Sequence, residues 1–140
     1  TGGASNTTTE TCYHMNMGKY MSLMAIVTLG TNSVTTSNLF VMQASTSSTA
    51  GLALAAWNYR TASTLGSATM SARAAGASTA LVLASTAETL YVIEVKSDDL
   101  TAGYPFCYVS ISSAAAIRNA TVTYLMKPRY VQNAMVEPNT

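Results

Sequence analysis

The feature that most constrains the fold is a set of three strand-like runs in the last third of the chain, residues 90–96, 106–112 and 120–127. Each run is rich in β-branched and aromatic residues, and polar or Gly/Pro-containing turns separate them. This pattern is typical of strands joined by tight connections. It predicts an antiparallel β meander at the C-terminal end of the domain.

The upstream half of the chain also has the two-residue period of strands. In residues 20–29, Met21, Leu23, Ala25, Val27 and Leu29 fall on one face. Residues 38–44 and 80–84 predict two more strands, and residues 61–79 predict a surface loop or irregular edge strands. Residues 52–59 are ambiguous: their alanines favour a helix, whereas their alternation and aromatic end favour a strand, which we prefer.

These elements predict an all-β fold, an antiparallel β-sandwich or jelly roll with an extended N-terminal arm. We expect three segments: an arm over residues 1–16, a β-sandwich domain over residues 17–130 and a tail over residues 131–140. The residues expected to form most of the core are Leu23, Ala25, Val27, Phe40, Met42, Ile93, Val95, Val109, Ile111 and either Val122 or Tyr124.

Composition limits the classes of function. Only 9% of the residues are charged and the formal net charge is +1, so the chain lacks the basic surface that nucleic acid requires. No apolar run approaches the roughly 20 residues that cross a bilayer, so we expect no membrane partner. A net charge near zero favours association. The composition therefore favours an assembly component over a free monomeric enzyme.

No set of residues predicts catalysis, a cofactor or a metal. His14 is the single histidine, and the chain has no G-x-S-x-G nucleophile motif. Glu94, Asp98 and Asp99 could in principle hold calcium through oxygen ligands. The alternative, which we prefer, is that the two aspartates cap a turn. We therefore predict that the protein is not an enzyme.

Two cysteines, Cys12 and Cys107, are far apart in the sequence. We expect both to be free thiols, with Cys107 buried in a strand. The alternative is a disulfide, which would close a long loop and add about 4–5 kcal/mol in the chain-entropy model.

Several short motifs follow one another in a specific order. Residues 92–95 read Val-Ile-Glu-Val, an acidic turn ends at Leu100, Gly103-Tyr104 precedes a Tyr-Val strand, and Arg129-Tyr130 closes the series. Upstream are Met-Gly-Lys-Tyr at residues 17–20, Leu-Phe-Val-Met-Gln-Ala at 39–44, Ala-Gly at 50–51 and Trp-Asn-Tyr at 57–59. From Met17 to Tyr130 this order resembles small virion structural proteins of tailed bacteriophages.

The resemblance implies a structural role in the virion, with assembly in the host cytoplasm. A head decoration protein of this kind would bind the assembled capsid shell and cement neighbouring subunits. Its partners would be other copies of itself, as a homotrimer, and the major capsid protein or another virion protein. The alternatives are a tail, neck or head-spike subunit, or a carbohydrate-binding β-sandwich that stacks aromatic rings on sugars.

For the cementing role, two groups of residues are candidate contacts. The N-terminal arm could lie along a neighbouring subunit, and aromatic residues on outward strand faces are typical of protein interfaces. The candidate interface residues are Thr7, Thr8, Thr9, Trp57, Tyr59, Tyr104, Phe106, Tyr108, Arg129 and Tyr130.

Overall fold

The computed structural model describes residues 9–29, 37–62, 69–83, 89–113 and 120–129. Within them it contains strands and one short 3-10 helix (Ser97–Asp99), with no α-helix, so the predicted all-β class is confirmed. The strands are β1 (Thr9–Thr11), β2 (Met15–Asn16), β3 (Tyr20–Leu29), β4 (Ser37–Ala44), β5 (Leu52–Ala53), β6 (Trp57–Ala62), β7 (Ala74–Gly76), β8 (Leu81–Leu83), β9 (Thr89–Lys96), β10 (Phe106–Ser113) and β11 (Ala120–Pro128).

The strands form two antiparallel sheets that pack as a sandwich. The six-stranded sheet has the order β1-β10-β4-β5, with β2 also paired to β10 and β8 to β4. The five-stranded sheet has the order β11-β3-β9-β6-β7. The β-sandwich prediction is thus confirmed, and the jelly-roll alternative stays a prediction.

The predicted C-terminal meander is wrong. The three strands of the last third exist, but β9 and β11 both pair with β3 in the five-stranded sheet, whereas β10 lies in the six-stranded sheet. The chain therefore crosses the sandwich twice. Each strand has one buried face and one outer face, and such a pattern shows where strands are without showing which sheet they join.

The core lies between the two sheets and is built from alternate residues of the long strands. In β3, Leu23, Ala25 and Val27 are buried and stand in register with Val95, Ile93 and Tyr91 of β9. Val109 and Ile111 of β10 close the core from the opposite sheet. Val122 and Tyr124 of β11 are half-buried against it. The predicted facing of β3, β9 and β10 is confirmed.

The predicted facing of β4 is wrong. Leu39 and Val41 are the buried residues of this strand, and Phe40 and Met42 are half-buried on the outer face. Register explains the result, because Leu39 and Val41 stand opposite the core residues Ile111 and Val109 of β10. Both faces of β4 are apolar, so the pattern alone cannot decide between them.

The predicted N-terminal arm and the segment 52–59 both form β-strands where the structure describes them. The described end of the predicted arm is an edge strand: β1 pairs with β10, and the Cys12 backbone N–H donates to the Val109 carbonyl at 3.0 Å. The alanine-rich segment 52–59 contains β5 and the start of β6, so the preference for strand over helix is confirmed. The prediction of one strand is wrong, because the chain passes from one sheet to the other between β5 and β6. Residues 1–8 and 131–140, half of the predicted arm and all of the tail, lie outside the described residues.

No helix among the described residues is both long enough and apolar enough to span a membrane.

Candidate interaction surfaces

The aromatic residues predicted as an interface do not share one surface. Trp57 is 2% exposed and Tyr108 is 4% exposed, so neither can contact a partner in this fold. This corrects the prediction for both residues. Tyr59 is half-buried beside Trp57, and Phe106 is half-buried at the start of β10. Alternation in the sequence places Trp57 and Tyr59 on one face of β6, and Phe106 and Tyr108 on one face of β10. It does not show whether other parts of the protein cover those faces.

Trp57 is held in place by its own sheet. Its ring lies against the backbone of Gly76, so closely that an added Cβ there would come within 2.2 Å of it. Its indole N–H donates to the Ala77 carbonyl at 2.9 Å. Its ring centroid lies 5.5 Å from that of Tyr59. Trp57 is therefore a core residue with a satisfied polar group.

Tyr108 lies on the outer face of the six-stranded sheet, where His14 and Gly51 contact it. The ring centroids of His14 and Tyr108 are 3.9 Å apart, and the Gly51 N–H donates to the Tyr108 hydroxyl at 2.9 Å. Around it, the described outer-face positions of β1, β10, β4 and β8 carry no charge. These positions are Thr9, Thr11, Phe106, Tyr108, Ser110, Ser112, Asn38, Phe40, Met42, Ala44 and Val82.

Tyr104 and Arg129 do come together, at one end of the sandwich. Both line an open cavity of about 360 Å³ between the turn before β3 and the segment that follows β9. The Arg129 guanidinium donates to the Ser97 hydroxyl at 3.1 Å, and its backbone N–H donates to the Lys19 carbonyl at 3.0 Å. These contacts give Arg129 a structural task in joining β11 to the turn before β3.

Of the remaining predicted residues, Thr9 is exposed in β1. Thr7, Thr8 and Tyr130 lie outside the described residues.

The three clustered carboxylates have other partners than a metal. Glu94 forms an ion pair with Arg73 at 2.9 Å. Asp99 accepts a hydrogen bond from the Lys96 backbone N–H at 3.1 Å, and Asp98 accepts one from the Ser97 hydroxyl at 3.2 Å. The preferred interpretation, that the aspartates cap a turn through backbone N–H groups, is therefore confirmed for Asp99, whereas the hydrogen bond of Asp98 is to a side-chain hydroxyl. Across the described ranges, no group of three or more His, Cys, Asp or Glu could hold a metal ion.

An apolar strip crosses the outer face of the five-stranded sheet, and the sequence indicated only part of it. Register places Leu125, Met24 and Glu94 in one row, and Ile26 and Val92 in the next. Leu125 is 52% exposed and Met24 is 36% exposed. We define the apolar strip as Leu90, Val92, Ile26, Met24 and Leu125. Met24 and Ile26 were recognisable as outward residues, but their neighbours follow only from strand order.

Basic residues surround the apolar strip. Lys96 and Lys127 flank Ser22 in the row next to Met24, Arg60 stands opposite Val92, and Arg73 pairs with Glu94. We call Arg60, Arg73, Lys96 and Lys127 the basic rim. These four residues and Glu94, which is paired with Arg73, together carry a net charge of +3, whereas the whole chain carries +1.

The two cysteines form no disulfide, as predicted, and Cys107 is buried in β10. Burial raises the pKa of the Cys107 thiol to about 12, although a hydrogen bond from the Tyr108 backbone opposes the shift. Burial also raises the pKa of Tyr124, whose hydroxyl lies near both cysteines and accepts a hydrogen bond from the Val109 N–H at 2.9 Å.

These two groups predict a loss of stability at alkaline pH. An acid whose pKa is raised by folding holds its proton more tightly in the folded state, so its contribution is present below its ordinary pKa, about 8.5 for a thiol, and falls as the pH rises toward 12. We expect the urea midpoint to fall between about pH 8 and about pH 10.5, and Cys107→Ala and Tyr124→Phe each to reduce that fall. The control is Tyr13→Phe, because Tyr13 is exposed. If the urea midpoint has the same pH dependence in wild type and in all three variants, Cys107 and Tyr124 are not the groups that cause the loss of stability.

Comparison of the chain with protein-family models, with curated proteins and with solved structures gave no match.

Proposed function

We propose that this protein is a virion structural subunit of tailed-phage type, a decoration protein that binds an assembled capsid shell and cements its neighbouring subunits. The order of motifs between Met17 and Tyr130 supports the phage origin. The surface of the sandwich supports the adhesive role.

The observation that carries the proposal is the apolar strip, in which Leu125 and Met24 are exposed and Ile26, Val92 and Leu90 are half-buried. The sandwich already has a complete core between its sheets, so residues such as Leu125 and Met24 are not required on the outer face for folding. Exposed apolar patches rimmed by polar groups commonly mark sites of protein interaction. A strip of this kind on a protein with so few charges is the expected form of a docking surface.

Adhesion of this kind needs no chemistry beyond contact. Many identical subunits each make a weak contact with the shell, and linking several contacts in one oligomer raises the overall affinity through effective concentration. Because the bound subunit is folded and the shell contact is absent from the unfolded chain, binding also stabilises the folded state. The shell and its cement then resist heat together.

We propose a homotrimer, with the six-stranded sheet as the side that faces other copies. Its described outer positions, including Phe40, Met42 and Phe106, are apolar or polar and uncharged. Like subunits can approach such a face without placing equal charges against each other. Closed rings are the usual form of homo-oligomers with identical subunits.

The same argument applies to a tail, neck or head-spike subunit, which would also adhere to other virion proteins. The carbohydrate-binding alternative is weaker, because it relied on exposed aromatic rings and Trp57 is buried. Tyr104 in the end cavity and Tyr13, which is exposed, are aromatic residues that this alternative retains.

The test of the proposal is binding to empty shells of a candidate phage. We expect the purified chain to sediment as a small oligomer, to co-sediment with shells in a fixed ratio and to raise the temperature at which they break. A monomer that binds none of the shells of its own phage and leaves their melting unchanged would refute the cementing role.

A deletion tests the N-terminal arm. Because β1 begins at Thr9, removing residues 1–8 preserves the strand that pairs with β10, whereas a longer deletion would remove it. We expect the shortened protein to melt like wild type but to occupy fewer shell sites, since so polar a segment has almost nothing apolar to contribute to the core. Deletion of residues 131–140 is a control of similar length. Full occupancy after the N-terminal deletion would exclude the arm as an anchor.

A further inference from the structure

We propose that the outer face of the five-stranded sheet is the shell-binding side, and that its partner is a protein surface with an apolar centre and acidic edges. This inference rests on the proposed function and adds the location and the chemistry of the contact. The face consists of the apolar strip and the basic rim.

The strip supplies the area that excludes water. Leu125 and Met24 occupy adjacent positions of β11 and β3, and Ile26 and Val92 continue the strip across β3 and β9. The five side chains thus cover three neighbouring strands. A patch in one plane suits a flat partner, because apolar side chains at the centre of an interface provide most of its affinity.

The rim determines what kind of surface can approach. Lys96, Lys127 and Arg60 are exposed, and Arg73 is half-exposed in its ion pair with Glu94. A partner that brings carboxylates to these positions gains complementary contacts and faster association, and a basic partner is repelled. The excess of three positive charges therefore selects an acidic partner.

A second copy of the chain does not meet this requirement. Two such faces placed against each other would bring their basic rims together, and the outer face of the six-stranded sheet carries no charge among its described residues. Asp98 and Asp99 are in the 3-10 helix that begins directly after Lys96, beyond the last strand residue of this face. A different protein with acidic residues is the occupant that fits.

Two paired sets of variants test the face on empty shells. We expect Met24→Ser with Leu125→Ser to weaken binding roughly thirtyfold, and Leu52→Ser to leave it unchanged, since Leu52 is 55% exposed in β5, away from the strip. Lys96→Glu with Lys127→Glu should weaken binding most at low salt, because salt screens exposed charges.

Lys19→Glu makes the same kind of charge change away from the strip, because Lys19 is exposed in the turn before β3. It should bind like wild type apart from a small general effect of net charge. Melting curves must match wild type for every variant that is compared. If the Met24/Leu125 variant binds like wild type, or if Lys19→Glu is as weak as the double lysine variant, the assignment is wrong.

A second probe separates this inference from the cementing role. A chromatography matrix that carries phenyl and carboxylate groups offers the same chemistry without any shell. We expect wild type to be retained and the Met24/Leu125 and Lys96/Lys127 variants to elute earlier, at lower salt. If wild type binds no shell but both double variants elute earlier than wild type, the cementing role is refuted and the assignment of the binding face is supported. Unchanged elution would overturn the face itself.

Two other occupants give distinct results. An oligomer that Met24→Ser with Leu125→Ser converts to a monomer would show that a second copy covers the face. Binding of a DNA duplex that is lost with Lys96→Glu and Lys127→Glu, but kept when the strip is changed, would show a nucleic-acid surface. Either result would overturn the assignment to an acidic protein.

Discussion

Replacing Ile93 with alanine is expected to lower the free energy of unfolding by about 2–5 kcal/mol, the range for truncating a buried isoleucine. Ile93 has no exposed surface and lies at the centre of the five-stranded sheet, between Ala25 of β3 and Tyr59 of β6. Strands on both sides fix its backbone, so the cavity left by the shorter side chain cannot close easily. Urea denaturation measures the change directly.

The control for this variant is Val82→Ala. Val82 is 63% exposed in β8, and substitutions at exposed positions usually change stability by less than about 0.5 kcal/mol. If Ile93→Ala unfolds at the same urea concentration as Val82→Ala, β9 does not face the core as described.

The same measurement tests the corrected facing of β4. Leu39 is fully buried and Phe40 is half-buried on the outer face. We therefore expect Leu39→Ala to destabilise the fold more than Phe40→Ala, although phenylalanine is the larger side chain. The reverse order would restore the facing that the sequence predicted.

The sequence predicts strands reliably in this chain because their period is local. Alternation in β3 and β9 identified Leu23 and Ile93 as core residues before any pairing was known. The same rule failed in β4, where Leu39 and Phe40 are both large and apolar. Only the residues across the sheet, such as Ile111 opposite Leu39, decide which face is buried.

Strand order could not be predicted for a related reason. The connection before β10, residues 97–105, is rich in turn residues, and its sequence does not indicate whether the next strand joins the same sheet or the opposite one. The apolar strip depends on that information, because Leu125 meets Met24 only when β11 pairs with β3. The candidate surface depends on which strands pair with each other. The aromatic interface, in contrast, was predicted from residue types without knowledge of strand pairing.

Replacing Trp57 with alanine is expected to destabilise the protein by about 3–5 kcal/mol, the range for removing a buried tryptophan ring. The ring packs against the backbone of Gly76 and the ring of Tyr59, and it is 2% exposed. Trp57→Phe keeps much of the apolar contact but leaves the Ala77 carbonyl without its 2.9 Å donor, so a smaller loss is expected. Because Trp57 is the single tryptophan of the chain, its fluorescence reports unfolding of the other variants.

This variant also separates a structural tryptophan from a sugar-binding one. A tryptophan that stacks on a carbohydrate is exposed, so its removal lowers sugar affinity with little effect on stability. Gly76→Ala distinguishes the two cases without changing the tryptophan, because the new Cβ would lie 2.2 Å from the ring atoms and must displace the ring. We expect it to destabilise the fold by about 1–3 kcal/mol, the usual effect of overpacking. Unchanged stability in both Trp57→Ala and Gly76→Ala, with sugar binding lost in Trp57→Ala, would identify an exposed platform and favour the carbohydrate-binding alternative over the cement.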